Sequence, residues 1–168
     1  MRKLLDGLYA VSGWLAGLSM IGVLVMVLLT ILSRLFAFSA PGTDAYAGYA
    51  MAGAGFLALA STLKKGEHIR VTLVLGMLKG KALKALELTA LSVAVLLSGF
   101  LAFYSARLVW QSWGYEDISV GIDATPLWIP QTMMTLGTLI FFIAFVDELV
   151  LEILGKRAPA ITEELIHE

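Results

Sequence analysis

The sequence predicts an all-α integral membrane protein: a single membrane domain of four transmembrane helices with both termini on the cytoplasmic side. Three observations predict it. Four apolar runs, at about 8–32, 45–63, 86–113 and 127–151, each reach or approach the ~20 residues needed to carry a helix across a ~30 Å hydrocarbon core. Hydrophobic residues are 59% of the 168 and charged residues 15%, which leaves no polar surface from which to build a separate soluble domain. Ten of the twelve Lys and Arg fall on one side of the spans, and basic residues in short connections resist translocation.

The first span follows Arg2 and Lys3, a basic flank that also resembles the start of an export signal. Its apolar run is about twice the ~7–15 residues of a signal segment, and the small-residue pattern Ala37-Phe38-Ser39-Ala40 is followed by Pro41, so the span is read as retained. Gly13 and Gly17 stand in G-x-x-x-G spacing within it. Arg34 and Asp44 then flank a short outer connection containing Pro41-Gly42, where they are placed to approach one another.

The second span is built largely of small residues, among them Gly48, Ala52, Gly53, Ala54, Gly55, Ala58 and Ala60. Lipid gives helices no hydrophobic reason to associate, so small side chains mark places where backbones approach closely. Two uses remain open: packing among these four helices, or a docking face for another membrane protein. The following connection mixes Ile69, Val71, Leu73, Val74 and Met77 with Arg70, Lys79 and Lys81. It reads either as an amphipathic interfacial segment over 67–80, its basic residues on lipid phosphates, or as an elbow before span three.

Span three carries Arg107 near its outer end, placed to snorkel or to meet Asp123, Glu116 or Asp44. Trp110, Trp113 and Trp128 fall at the depth of an outer aromatic belt, around a connection that holds Glu116, Asp117 and Asp123. Span four ends in Asp147, Glu148 and Glu152, which can face Lys81, Lys84 or Lys156.

Several functions are excluded. A net charge of −1 with short loops offers no basic surface for nucleic acid. With no cysteine, thiolate chemistry is absent, and the two histidines, His68 and His167, lie outside the spans, where they cannot ligate a haem inside them. No span has a carboxylate in its middle third, as a small proton-coupled exporter requires, and no catalytic triad or phosphate-cradling glycine loop appears. The residues describe an accessory subunit: no enzyme, with no cofactor or metal of its own.

The run Gly66-Glu67-His68-Ile69-Arg70-Val71, directly after a second span ending in basic residues, resembles the signature of the small membrane subunit of TRAP (tripartite ATP-independent periplasmic) transporters. Arg34 closing span one, Asp44 opening span two and Thr125-Pro126-Leu127-Trp128-Ile129-Pro130 opening span four extend the likeness from about Leu5 to Leu154. The family often has a Trp and a Glu where this chain has Gly42-Thr43-Asp44, and an acid where it has Thr72.

The resemblance implies a bacterial inner-membrane complex that takes up organic acids with a sodium gradient. A periplasmic solute-binding protein delivers the carboxylate. A large polytopic subunit holds the substrate and sodium sites, and the small subunit packs on its static scaffold. On that reading Gly48, Ala52 and Gly55, with Arg34, Asp44 and Arg107, form the candidate partner interface. Glu116, Asp117 and Asp123 are candidates for docking the solute-binding protein, and Arg70, Lys79, Lys81, Trp110, Trp113 and Trp128 for the lipid interface. The competing readings are an independent four-helix transporter acting as a homo-oligomer, and an anchor for a soluble enzyme.

Overall fold

The computed structural model describes residues 2–65 and 81–155. The expected interfacial segment at 67–80, with Arg70 and Lys79, the Gly66–Val71 run, and the C-terminal tail lie outside the described residues, as does the Lys81 side chain. Four helices account for most of the rest: α1 (Arg2–Leu35), α2 (Thr43–Lys64), α3 (Lys81–Gly114) and α4 (Trp128–Ile153). All four are long and apolar enough to cross a membrane. At 1.5 Å per residue the 34-residue α1 and α3 are each about 51 Å long, well beyond the ~30 Å hydrocarbon core. Both begin earlier than the apolar runs do, because hydropathy registers only the lipid-level part of a helix whose first turns carry Asp6 or Lys84 and Glu87.

The helices do not close into a bundle. α1 packs on α2, α2 on α4 and α4 on α3, while α1 and α4 barely meet, giving an open row in the order α1–α2–α4–α3. The reason lies in the flanking helices. On α1 the covered side chains include Tyr9, Ser12, Ala16, Ser19, Val23, Met26, Thr30 and Ser33, in strictly alternating steps of three and four. On α3 the covered positions Leu91, Val95, Ser98, Ala102, Ser105, Val109 and Ser112 repeat that spacing. A seven-residue repeat keeps one narrow stripe facing one neighbour along the whole helix, as in a left-handed coiled coil. With one stripe each, α1 and α3 can only flank the row.

Those stripes are rich in serine, and the hydroxyls of Ser12, Ser19, Ser33, Ser98 and Ser105 are satisfied inside their own helices. Ser12 donates to the Tyr9 carbonyl at 2.9 Å, Ser98 to Ala94 at 2.7 Å and Ser105 to Leu101 at 2.7 Å. Each therefore acts as a small spacer that leaves no unpaired polar group in the contact. Between the central helices the approach is closer still. A Cβ placed on Gly137 of α4 would lie 2.5 Å from the Phe56 carbonyl carbon and oxygen of α2, so only glycine permits that backbone contact.

One end of the row is packed and the other is not. At the end where α1 begins and α2 finishes, here the basic end, Tyr9, Ala60, Leu63 and Ala144 form a buried cluster wrapped by Leu5, Ile140, Phe141 and Phe145. At the far end α2 starts from Gly42 in the left-handed conformation (φ 82°), and the Thr30 and Thr43 hydroxyls, 2.8 Å apart, join α1 to α2. α3 stops in a Schellman-type turn: Asp117 N–H donates to Ser112 O at 3.0 Å and Glu116 N–H to Trp113 O at 3.3 Å, with Glu116 itself at φ 53° where glycine is usual.

Gly137→Ala is expected to force α2 and α4 apart and lower stability by about 1–3 kcal/mol, the usual cost of overpacking. Gly17→Ala, which meets nothing within 4 Å, is expected to be neutral or stabilising. Denaturant unfolding in mixed micelles compares the two directly.

Candidate functional site

α2 divides its small residues between two faces. Gly53, Ala54, Leu57 and Ala60 are buried against α1 and α4. Gly48, Ala52 and Gly55 are exposed, and a Cβ on Gly48 or Gly55 would meet nothing within 4 Å. With Met51, also exposed, they form a shallow apolar strip on the opposite side of the helix from the groove-facing Ala50 and Gly53. Among the described residues nothing covers the strip. The G-x-x-x-G pair of α1 behaves differently: Gly13 abuts α2, where a Cβ on it would lie 3.3 Å from the Ser61 Cβ, whereas Gly17 is open.

The three ionisable residues assigned to a partner interface are all exposed: Arg34 at the end of α1, Asp44 in the first turn of α2 and Arg107 on α3. The expected pairing of Arg34 with Asp44 is not found. Asp44 lies instead 3.4 Å from the Thr30 hydroxyl, in a first turn where the helix dipole favours an acid. Arg107 likewise makes no ion pair with Asp123, Glu116 or Asp44; the ion pairs among the described residues centre on Lys64. A guanidinium near the end of a long helix can reach the interface by snorkelling, so it needs no protein partner.

The connection from α3 to α4 is an ordered hairpin-like turn. Ile118 and Pro126 form an antiparallel bridge, Ser119 N–H donates to Thr125 O and Leu127 N–H to Asp117 O, each at 2.9 Å. Glu116 and Asp117 are exposed on it, as are Ile118, Val120 and Ile122. Asp123 has another role. Its carboxylate accepts from Tyr49 OH at 2.9 Å and from Ser119 Oγ at 3.0 Å, which fastens the turn to α2. Desolvation pushes the Asp123 carboxyl up, but hydrogen bonds involving Thr125, Tyr49, Ser119 and its own backbone prevail and hold it below the usual carboxylate range. Trp110 is exposed, while Trp113 packs on Trp128 with ring centroids 5.0 Å apart, joining the end of α3 to the start of α4.

At the basic end lies a cluster that the sequence reading did not assemble. Lys64 Nζ donates to Asp147 and, at 3.0 Å, to Glu148, and sits 5.2 Å from the centre of the Tyr9 ring. The three charged side chains are only 13–20% exposed. One ammonium thus ties α1, α2 and α4 together. The signal was present in the sequence as a lysine closing span two and an acid pair closing span four. Among the described residues no group of three or more His, Cys, Asp or Glu is arranged to hold a metal.

Residues 23–155 match the family model described as "Tripartite ATP-independent periplasmic transporters, DctQ component". A search of curated proteins finds no match.

Lys64→Met is expected to leave two acids nearly out of water without their cation and to lower stability by about 2–4 kcal/mol. Adding Asp147→Asn and Glu148→Gln is expected to restore more than half of that loss, read from unfolding in micelles. For Asp123 the sign follows from its lowered pKa. Its stabilisation of the turn is complete above the ordinary carboxylate range and fades as pH falls through the lowered value. Tyr49→Phe removes one donor, so hydrogen exchange across 117–127 is expected to accelerate at a higher pH than in the parent chain.

Proposed function

Because the chain belongs to the DctQ component family of tripartite ATP-independent periplasmic transporters, we propose that it works as the static small subunit of a sodium-coupled carboxylate uptake system in the bacterial inner membrane, holding a large polytopic subunit against its α2 face. The observation that carries this reading is the uncovered strip of Gly48, Ala52 and Gly55. Elsewhere on α2 small residues are spent on contacts within the chain; these three are left facing outward in a membrane, where small side chains serve close helix approach and little else. The open row adds breadth to that surface, since α1 and α3 each engage a single neighbour.

On this reading the basic end faces the cytoplasm and the far end the periplasm, which the distribution of Lys and Arg supports. The sodium and substrate sites belong to the large subunit, and this chain carries no cofactor. The α3–α4 turn is then where a periplasmic solute-binding protein lands. Glu116 and Asp117 steer it by charge, while Asp123 keeps the turn in place through Tyr49.

Leucine at Gly48, Ala52 and Gly55 together is expected to reduce co-purification of the large subunit at least fivefold in mild detergent, with the chain still folded. Undiminished recovery of the pair, or recovery of the parent chain only as a homo-oligomer, would refute the scaffold assignment. Glu116→Gln with Asp117→Asn is expected to lower uptake at limiting binding protein in low salt and to have little effect when binding protein is saturating. Uptake kinetics in vesicles at several salt concentrations measure it.

A further inference from the structure

In the far half of the row a cavity of about 340 Å³ opens between α1 and α4, which both lean on α2 and barely meet one another. Its walls are Leu18 and Ser19 of α1 and Ile129, Pro130 and Met133 of α4, with Tyr46, Tyr49 and Ala50 of α2 behind and Thr125 above. We propose that this groove holds one acyl chain of an ethanolamine phospholipid from the far-side leaflet, with the ammonium of the headgroup beside the rim, at the Asp123 carboxylate that Tyr49 holds there.

Three features point to that occupant. The first is depth. Gly53 closes the floor, where a Cβ would lie 3.0 Å from Met133 Sδ and 3.4 Å from Ser19 Oγ. From Tyr46 at the rim to Gly53, α2 descends seven residues, about 10 Å, which stays inside one leaflet of a ~30 Å hydrocarbon core. The second is polarity. Hydroxyls gather at the rim, where Thr125 Oγ1 lies 3.3 Å from Tyr46 OH and Tyr49 OH donates to Asp123, while the walls below are aliphatic. An acyl chain below an ester and headgroup has the same gradient. The third is charge: the Asp123 carboxylate stands next to the rim, 2.9 Å from the hydroxyl of the groove-lining Tyr49, and there is no Lys or Arg among the described residues that line the groove, so an ammonium is favoured there over an anionic glycerol headgroup.

The groove and the Gly48–Ala52–Gly55 strip lie on opposite sides of α2. A large subunit docked on the strip therefore leaves the groove facing lipid, and this part of the inference rests on the scaffold reading above. The depth, polarity and charge arguments do not.

The test is native mass spectrometry of the full chain purified from native membranes, delipidated and titrated with palmitoyl-oleoyl phosphatidylethanolamine or the matching phosphatidylglycerol. One tightly retained ethanolamine lipid per chain is expected, with at least fivefold weaker retention of the glycerol lipid. Ile129→Trp and Ala50→Leu fill the groove from opposite walls and are each expected to cut that retention at least fivefold, whereas Leu97→Trp, exposed on α3 and outside the groove, leaves it unchanged. Equal retention in folded groove-filled variants, or equal retention of both headgroups, overturns the proposal. The sequence contains no cysteine, so Ala50→Cys and Gly48→Cys can each be alkylated alone. Cys at position 50 shielded by added ethanolamine lipid supports the proposal, and shielding there only by a co-expressed large subunit overturns it. Failure of that subunit to shield position 48 counts against the scaffold reading alone.

Discussion

Close approach of helix backbones, in a solvent that gives helices no hydrophobic reason to associate, is the constraint on which this structure depends. Apolar side chains are as well solvated by lipid as by each other, so association has to come from packing at short range. The chain meets this with small residues at the contacts: serine and alanine along the seven-residue stripes of α1 and α3, and glycine where α2 and α4 meet. Because the hydroxyls of Ser12, Ser19, Ser33, Ser98 and Ser105 each return to a carbonyl of their own helix, these positions combine small volume with satisfied hydrogen bonding. The same local closure means that these hydroxyls do not form a chain from one helix to the next along which a proton could pass.

α2 is the hub of the arrangement, and the two ends of the row follow from how it is held. At the basic end Lys64 gathers Asp147, Glu148 and the Tyr9 ring, over an apolar cluster drawn from the same three helices. At the far end the neighbouring segments are held by smaller contacts, Tyr49 on Asp123, Thr125 by Tyr46, Thr30 on Thr43 and Trp113 on Trp128. Removal of water strengthens the Lys64 cluster, and its position at a helix end rather than mid-span avoids the cost of placing charge at the centre of a bilayer. The groove is the geometric counterpart of that clamp.

The four helices were legible from hydropathy because spanning a membrane is a demand on composition and length alone. Pairwise contacts were not. In α1 the G-x-x-x-G spacing of Gly13 and Gly17 is the conspicuous signal, yet only Gly13 abuts α2, and the contact runs on through a stripe from Tyr9 to Ser33 with three-and-four spacing. The small residues of α2 were recognised, but two faces could not be separated without knowing that α1 and α4 both lie on one of them. Arg34 with Asp44 and Arg107 with Asp123 looked like pairs because they share a level in the membrane. Level does not fix azimuth around a helix axis, and Asp123 in fact faces Tyr49 from 74 positions earlier in the chain. Lys64 with Asp147 and Glu148 was hidden for the same reason: it depends on α4 packing beside α2, which chain order does not state.

An open row is a poor design for a protein that must enclose a substrate and a good one for a protein that must present a surface. Enclosure needs helices with contacts on several sides, whereas α1 and α3 spend only one stripe each and leave most of their circumference to the surroundings. Their length adds to this, since helices about 51 Å long can accommodate a ~30 Å core only by tilting or by projecting beyond it, and either increases the area anchored in the bilayer and its interfaces. Among the described residues the ion pairs lie at one end, around Lys64, and the serine hydroxyls along the contacts close on their own helices. Of the surfaces it presents, the strip on α2 is one that admits close approach of a second helix, since a Cβ on Gly48 or Gly55 meets nothing within 4 Å.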